Sequence, residues 1–288
     1  MEEIITVIIP IYNASKFLSQ CLDSVLSQTY KHLQIILIND GSTDDSLAIC
    51  KLYGEKDKRI LIVSKENEGV SVARNIGIKY AEGTYIYFMD ADDLLKSDAL
   101  YTLVTVMREN NASLVRADYQ AINCNGEFLF SDKKVILRRK YCNKILSFEE
   151  FYLKVLLHEY FLFTCLFRAE IINNNNITFI PHCRLMEDSA FVLQYGSFSE
   201  KNIYFGKIIY EYRKHDFSAT CVKKDYSVDL KLVYDTINNN IAHSKYKTNF
   251  LANISKGIDR QNGNISLCHK LTHVIGKLWL NIRYILSI

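Results

Sequence analysis

The sequence has no cysteine pair at CxxC spacing: its eight cysteines, Cys21, Cys50, Cys124, Cys142, Cys165, Cys183, Cys221 and Cys268, are scattered. A chain of 288 residues with 49% apolar content can bury a core without a disulfide framework, so reduced thiols in a cytoplasmic setting are expected. Also missing is an uncharged apolar run near the roughly 20 residues that a spanning helix needs. The longest stretches, 160–167 and 278–288, are short or interrupted, so no spanning helix is expected. The opening MEEIITVIIPIYN is acidic and enters a strand-like run at once, unlike a signal or transit peptide. Excess charge of one sign is absent too: 35 basic residues against 32 acidic ones leave a net charge of +3, which gives no reason to expect a nucleic-acid partner. No GxGxxG follows the first strand-like run and no GxxxxGK[ST] occurs, so dinucleotide oxidoreductases and P-loop ATPases lose their phosphate cradle. HExxH and a cysteine-histidine metal set are missing as well.

What is present is an alternation of β-branched runs and helical patterns over the first hundred residues, the signature of a mostly parallel sheet with crossover helices. Strands are expected at 6–9, 33–38, 60–63 and 85–89. Between them, Phe17/Leu18, Cys21/Leu22 and Val25/Leu26 form one apolar helix face, which Ser15 or Asn13 can cap. A second helix is expected with Asp44 and Asp45 in its first turn, and a third over 70–81. Further on, helices are expected at 98–109, 146–157 and 187–195, with strand-like runs at 113–116 and 208–213 and an aromatic stretch at 161–167. These expectations divide the chain into residues 1–222, with halves 1–117 and 118–222, and a helical extension over 223–288. The end of that extension mixes Lys and Arg with Trp279 and leucines; a membrane-surface helix and a helix packed on its own domain both fit it.

Acidic residues fall where strands end, and in open α/β sheets ligands gather at those ends. Asp90 and Asp92 follow an apolar strand two residues apart, a spacing that lets carboxylates face a cleft and share Mg²⁺ or Mn²⁺ with phosphate oxygens and water. A charged turn has the same spelling. Asp40 ends another strand beside Gly41, where an ordinary helix-capping aspartate would also sit. Tyr12, two residues after Pro10, offers a ring on which a base can stack. Glu187 and Asp188 open a helical pattern; they suit a general base if the fold returns them to the cleft, and the helix dipole if it does not.

Five stretches in order, VIIPIYNASKFLSQCLDSVLSQTY, IILINDGSTDDS, NEGVSVARNIGIKYAEGTYIYFMDADD, MEDSAF and YEYRKHDFSAT, resemble those of family 2 glycosyltransferases with the GT-A fold, over roughly the first 220 residues. The resemblance implies an α/β GT-A fold, with a nucleotide-sugar-binding half, an acceptor half and a C-terminal helical tail. It implies a metal-dependent, inverting hexosyltransferase using a UDP-sugar donor and Mn²⁺ or Mg²⁺. By the same resemblance Pro10 and Tyr12 line the uridine pocket, Asp40 accepts from the uracil imide, Asn67 and Arg74 lie near the nucleotide, and Asp90 meets the ribose or donor sugar. Asp92 and His215 are placed at the metal, although a histidine after a strand is also commonly structural. Asp188 is the base, and Glu187 orients or binds the acceptor. No QxxRW motif and no spanning helix accompany these, which favours single addition over processive polymerisation. The implied acceptor is a hydroxyl of a glycan or lipid-linked oligosaccharide in surface polysaccharide synthesis, on the cytosolic face of a bacterial plasma membrane, with peripheral contact through the tail. Two other readings remain: a catalytically inactive nucleotide-sugar or glycan-binding module on the same fold, and a two-carboxylate hydrolase.

Overall fold

The computed structural model describes residues 3–132, 134–157, 159–215 and 226–261. Four parallel strands lead: β1 (Ile5–Ile11), β2 (Leu33–Asp40), β3 (Ile60–Lys65) and β4 (Tyr85–Phe88). Helices α1 (Ser15–Leu26), α2 (Ser46–Lys56) and α3 (Val70–Tyr80) cross between them. After the short β5 (Leu94–Leu95) and helix α4 (Ala99–Glu109) come β6 (Leu114–Ile122) and the edge strand β7 (Phe128–Ser131). Then follow α5 (Val135–Arg138), β8 (Ile145–Leu146), α6 (Phe148–Phe151), β9 (Cys165–Arg168), α7 (Ala169–Asn174), α8 (Glu187–Gly196) and β10 (Asn202–Arg213). Two helices close the described chain, α9 (Ser227–Asn240) and α10 (Lys245–Gln261).

One sheet runs in the order β3-β2-β1-β4-β9-β6-β10-β5, with β7 added on β6 and β8 on β10. The chain winds outward from β1 to β3 and then returns to the other side of β1 as β4. The carboxyl ends of β1 and β4 therefore diverge at a topological switch point, where such sheets leave a crevice. The sheet is mixed: β9 is antiparallel to both β4 and β6. That reversal matters for function, because it puts the start of β9 beside the end of β4, and the Tyr87 hydroxyl donates to the Phe163 carbonyl there.

The strands are buried on both faces, hence their continuous apolar runs. Alternate residues of β1 and β2, Ile5, Val7, Ile9, Ile35 and Leu37, pack with Leu18, Cys21, Leu22 and Val25 of α1 and Leu100, Leu103 and Met107 of α4. On the opposite face Ile8, Ile86 and Phe88 join Phe179 and Phe191. Leu230, Val233 and Ile237 of α9 and Phe250 and Ile254 of α10 belong to that same cluster, so the described part of the C-terminal helices shares a core with α8. The basic segment 271–288 lies outside the described residues.

Several local expectations need correction. The start of α1 is capped neither by Ser15 nor by Asn13: its N-cap is Ala14, and the cap is supplied from the loop after β2. Asp44 Oδ2 accepts from the Ser15 N–H (2.9 Å), and Ser46 Oγ accepts from the Ala14 N–H (2.9 Å). Asp44 precedes α2 rather than lying in its first turn, and its other oxygen accepts from the Ser46 N–H at 3.0 Å. The expected helix at 146–157 is one turn of α6 followed by a π-turn at Tyr152–Leu156, which ends with Leu157 in a left-handed conformation (φ 48°). A buried ion network explains the irregularity, since Arg138 donates through Nε to the Val155 carbonyl that the turn exposes (2.7 Å) and pairs with Asp132 and Glu159. Strand β6 runs six residues beyond 116, because β10 and β7 pair with its second half.

Burial opposes ionisation of Asp44, yet hydrogen bonds from Ser46 and Ser15 hold its carboxyl down to about 2. Its contribution is thus complete above the ordinary carboxylate range and is lost as pH falls toward 2. Asp44→Ala is expected to cost about 1–2 kcal/mol by uncapping two helices. Thermal denaturation should show a gap from wild type that is wide at pH 7 and narrower near pH 3.

Candidate active site

A cleft of about 790 Å³ opens over the carboxyl ends of β1, β2 and β4. Two loops form one rim, and they are tied together: Asn13 donates its N–H to Ser42 Oγ (3.1 Å), and its side chain accepts from the Thr43 N–H (2.8 Å). This fixes the segment that presents Pro10 and the exposed ring of Tyr12 to the cleft. Asp40 is buried at the end of β2. It accepts from Lys65 Nζ (2.6 Å) and the Glu68 N–H (3.0 Å) on one oxygen and from the Gly69 N–H (2.8 Å) on the other. One carboxylate therefore shapes the whole turn from β3 into α3, in which Gly69 adopts φ 93°. Gly41 is held by its own left-handed φ of 71° and by crowding, since a Cβ there would lie 2.7 Å from the Asn67 nitrogen. Asn67 itself is exposed and does not line the cleft; its backbone packs on Gly41.

The floor of the cleft is an ionic cluster. Arg74, buried on α3, donates Nη1 to Asp188 Oδ1 (2.7 Å) and Glu187 Oε1 (3.3 Å), and Nη2 to Asp90 Oδ1 (3.1 Å). Its guanidinium also lies over the Phe179 ring, 5.3 Å from the centroid. Residues over a hundred positions apart in the chain thus meet on one cation. Met186 enters α8 with a left-handed φ of 62°, a conformation that costs a bulky side chain energy and that aims the first turn of the helix, Glu187 and Asp188, into the cleft.

These charges shift one another. Burial works against the Arg74 cation, but Asp188, Asp90 and Glu187 raise its pKa above the ordinary arginine value. Burial pushes Asp188 well above the usual carboxylate range; Arg74 pulls it down, and Glu187 and Asp90 push it up again. Asp90 is raised for the same first reason, against the pull of Arg74 and with the repulsion of Asp92.

The opposite wall is fixed by Asp93, which sequence reading did not separate from its neighbours. It is fully buried, accepting from the Tyr210 hydroxyl (2.7 Å) and the Arg213 N–H (2.6 Å). Arg213 is buried too. It donates to the Asp92 carbonyl (2.8 Å), the Cys124 carbonyl (2.9 Å) and Gln20 Oε1 (2.8 Å), and stacks on Phe17 at 4.7 Å. The end of β10 is thereby locked to the Asp-Ala-Asp-Asp turn, and His215, two residues on, sits with Nε2 2.8 Å from Asp92 Oδ2. The Asp92 and His215 atoms face the cleft as one oxygen and one nitrogen donor. Among the described residues no group of three His, Cys, Asp or Glu side chains is placed to hold a metal ion unaided. Two protein donors do fit an ion whose remaining ligands are substrate phosphates and water.

A further wall of the cleft is aromatic. Phe163 stacks on Tyr210 (4.3 Å between centroids), Phe161 (5.2 Å) and Tyr212 (5.9 Å), and Tyr119 meets Phe161, Phe163 and Tyr212 edge-on. The density of aromatics at 161–163 and 210–212 signalled burial in the sequence, but not a shared wall.

Removing Arg74 leaves three carboxylates facing one another without a cation, so Arg74→Met is expected to cost about 3–5 kcal/mol at pH 7. Protonation relieves the repulsion, hence the deficit should shrink as pH falls toward 5; equilibrium denaturation at the two pH values measures it.

The sequence model described as "Glycosyl transferase family 2" matches residues 6–191. Glycosyltransferase GlyA of Streptococcus pneumoniae is 35% identical over 217 residues, an alignment covering 74% of this chain but only 31% of GlyA. The chain therefore spans about a third of that relative. Among solved structures, S. aureus TarS in complex with UDP-GlcNAc superposes with a TM-score of 0.73 at 19% identity, over 88% of this chain and 71% of TarS. The mannosyltransferase PcManGT from Pyrobaculum calidifontis, in complex with GDP-Man and Mn²⁺, gives a TM-score of 0.59 at 16% identity, over 97% of this chain and 81% of its own. The shared fold is GT-A: a central sheet flanked by helices.

Proposed function

Because the chain belongs to glycosyltransferase family 2, we propose that its cleft transfers a sugar, with inversion, from a UDP-sugar to a hydroxyl group of a glycan or lipid-linked acceptor in surface polysaccharide synthesis. The observation that carries this reading is the Arg74 cluster, which places Asp188 and Glu187 of α8 in the same cleft as the strand-end Asp90 and the Asp92–His215 pair.

In this reading Tyr12 stacks on the base beside Pro10. Asp40 already takes three hydrogen bonds and keeps a free lone pair on Oδ2 for an imide N–H. Asn67, exposed outside the cleft lining, acts through its backbone against Gly41 and not as a nucleotide ligand. Asp90 faces the ribose or donor sugar, oriented by Arg74. Asp92 and His215 would hold Mn²⁺ or Mg²⁺, which supplies positive charge where the diphosphate leaving group becomes more anionic. The Mn²⁺ complex of PcManGT supports such an ion here.

Asp188 acts as the base. It accepts the proton of the acceptor hydroxyl; the oxygen forms its bond to the anomeric carbon as the bond to the diphosphate breaks on the opposite face. A single displacement inverts that centre. Arg74 holds Asp188 in place, and Glu187 beside it orients the acceptor. The elevated pKa of Asp188 suits a base that must gain a proton in the transition state.

Calorimetric titration with UDP tests the donor class. Wild type should bind only weakly without Mn²⁺ and more tightly with it. Asp92→Asn should lose that metal dependence, and Tyr12→Ala should weaken binding about tenfold through lost stacking. Absence of UDP binding by folded wild type would overturn the donor assignment. Asp188→Asn should still bind UDP while turnover falls about 10²–10⁴-fold. Because the base works deprotonated and its pKa is raised, turnover should drop as pH falls through a midpoint above the ordinary carboxylate range.

A further inference from the structure

Among the described residues, five of the exposed large apolar side chains fall within ten positions: Phe128, Leu129 and Phe130 on β7, and Ile136 and Leu137 on α5. Phe128 is 60% exposed and Ile136 63%, values that neither an edge strand nor a short helix needs for its own stability. The exposed charges around them are mostly positive. From Lys134 to Lys144 there are five cations and no Asp or Glu. Arg138 is buried and neutralised by Asp132 and Glu159, and Lys134 is tied to Glu159, whereas Arg139, Lys140 and Lys144 are exposed. The nearest acid on the β7 side, Glu127, accepts from the Asn123 amide at 2.7 Å. On the other side Glu150 is paired with Lys154.

The patch also continues into the cleft. Phe130 belongs both to the exposed strand and to the cleft lining, with Lys214 Nζ 4.6 Å above its ring. Apolar side chains that project from an edge, flanked by the exposed cations Arg139, Lys140 and Lys144 and with Glu127 as the exposed acid on the β7 side, match the interface of a bilayer containing anionic lipid. A protein partner would be expected to bring complementary acids to Arg139, Lys140 and Lys144 and a packed pocket for Phe128; a lipid surface needs neither.

We propose that β7 and α5 dock this chain on an anionic membrane surface, with the acceptor-side mouth of the cleft turned toward the lipid. The surface is built from residues 128–144, without segment 271–288, and on the proposed function its position would let an acceptor held in the membrane reach Asp188.

The test is co-sedimentation of the full chain with phosphatidylcholine vesicles, with and without about one-third phosphatidylglycerol. Wild type should pellet with the anionic vesicles alone and detach as salt is raised. Phe128→Ser/Ile136→Ser and Arg139→Glu/Lys140→Glu should each lower partitioning by about tenfold or more, while unchanged UDP titrations and melting curves confirm folding. A chain lacking 271–288 should still partition. Equal binding to neutral and anionic vesicles, or both double variants binding like wild type, would overturn the proposal. So would a sedimentation-velocity result in which wild type self-associates and the variants are monomers, since the patch would then be an interface between copies. The vesicle readout needs no nucleotide, so it succeeds or fails separately from the donor assignment.

Discussion

Arg74 is a buried cation held by three acids that come from two distant parts of the chain, and the geometry of the cleft depends on it. A guanidinium this deeply buried requires anionic partners, and Asp90, Glu187 and Asp188 supply them from the end of β4 and the start of α8. Three carboxylates could not be gathered in a partly closed cleft without that cation. The two halves of the site are therefore coupled electrostatically as well as by packing. Three carboxylates against one guanidinium leave the cleft with surplus negative charge.

A second clamp complements the first. Asp93 and Arg213 hold the last strand against the turn after β4 through the backbone N–H of Arg213 and the carbonyl of Asp92. Because Arg213 spends its donors on backbone carbonyls and Gln20, the side chain of Asp92 stays available to the cleft beside His215. Of the four residues Asp90 to Asp93, the outer pair thus serves structure in part: Asp93 wholly, and Asp90 through Arg74. Asp92 is left facing the ligand space.

Much of the first hundred residues was legible because local patterns and tertiary structure agree there. The pairs Phe17/Leu18, Cys21/Leu22 and Val25/Leu26 do form one face of α1, buried except for the half-buried Leu26, and the apolar runs expected at 33–38 and 85–89 do become strands buried on both sides, over Leu33–Asp40 and Tyr85–Phe88. The capping of α1 was not legible, since its acceptors, Asp44 and Ser46, lie some thirty residues away at the entry to α2. The stretch 146–157 read as a helix because its apolar spacing is helical; the buried Arg138 network holds it instead as a short helix with a π-turn. The run 161–167 read as a single aromatic stretch, but it divides into a helical turn that faces the cleft and a strand that faces the core.

By itself the sequence determined the α/β class, the strand ends that carry Asp40, Asp90 and Asp92, and the family through five motifs in order, because hydrophobic period and motif spacing are local quantities. Only the tertiary structure decided that Arg74 joins Asp90 to Asp188, that Asp93 is an anchor, that Asn67 stands outside the cleft, and that aromatics from β6, β10 and the turn before β9 form one wall. Each of those facts rests on a distance between residues far apart in the chain. Such distances are set by how the whole sheet closes its core.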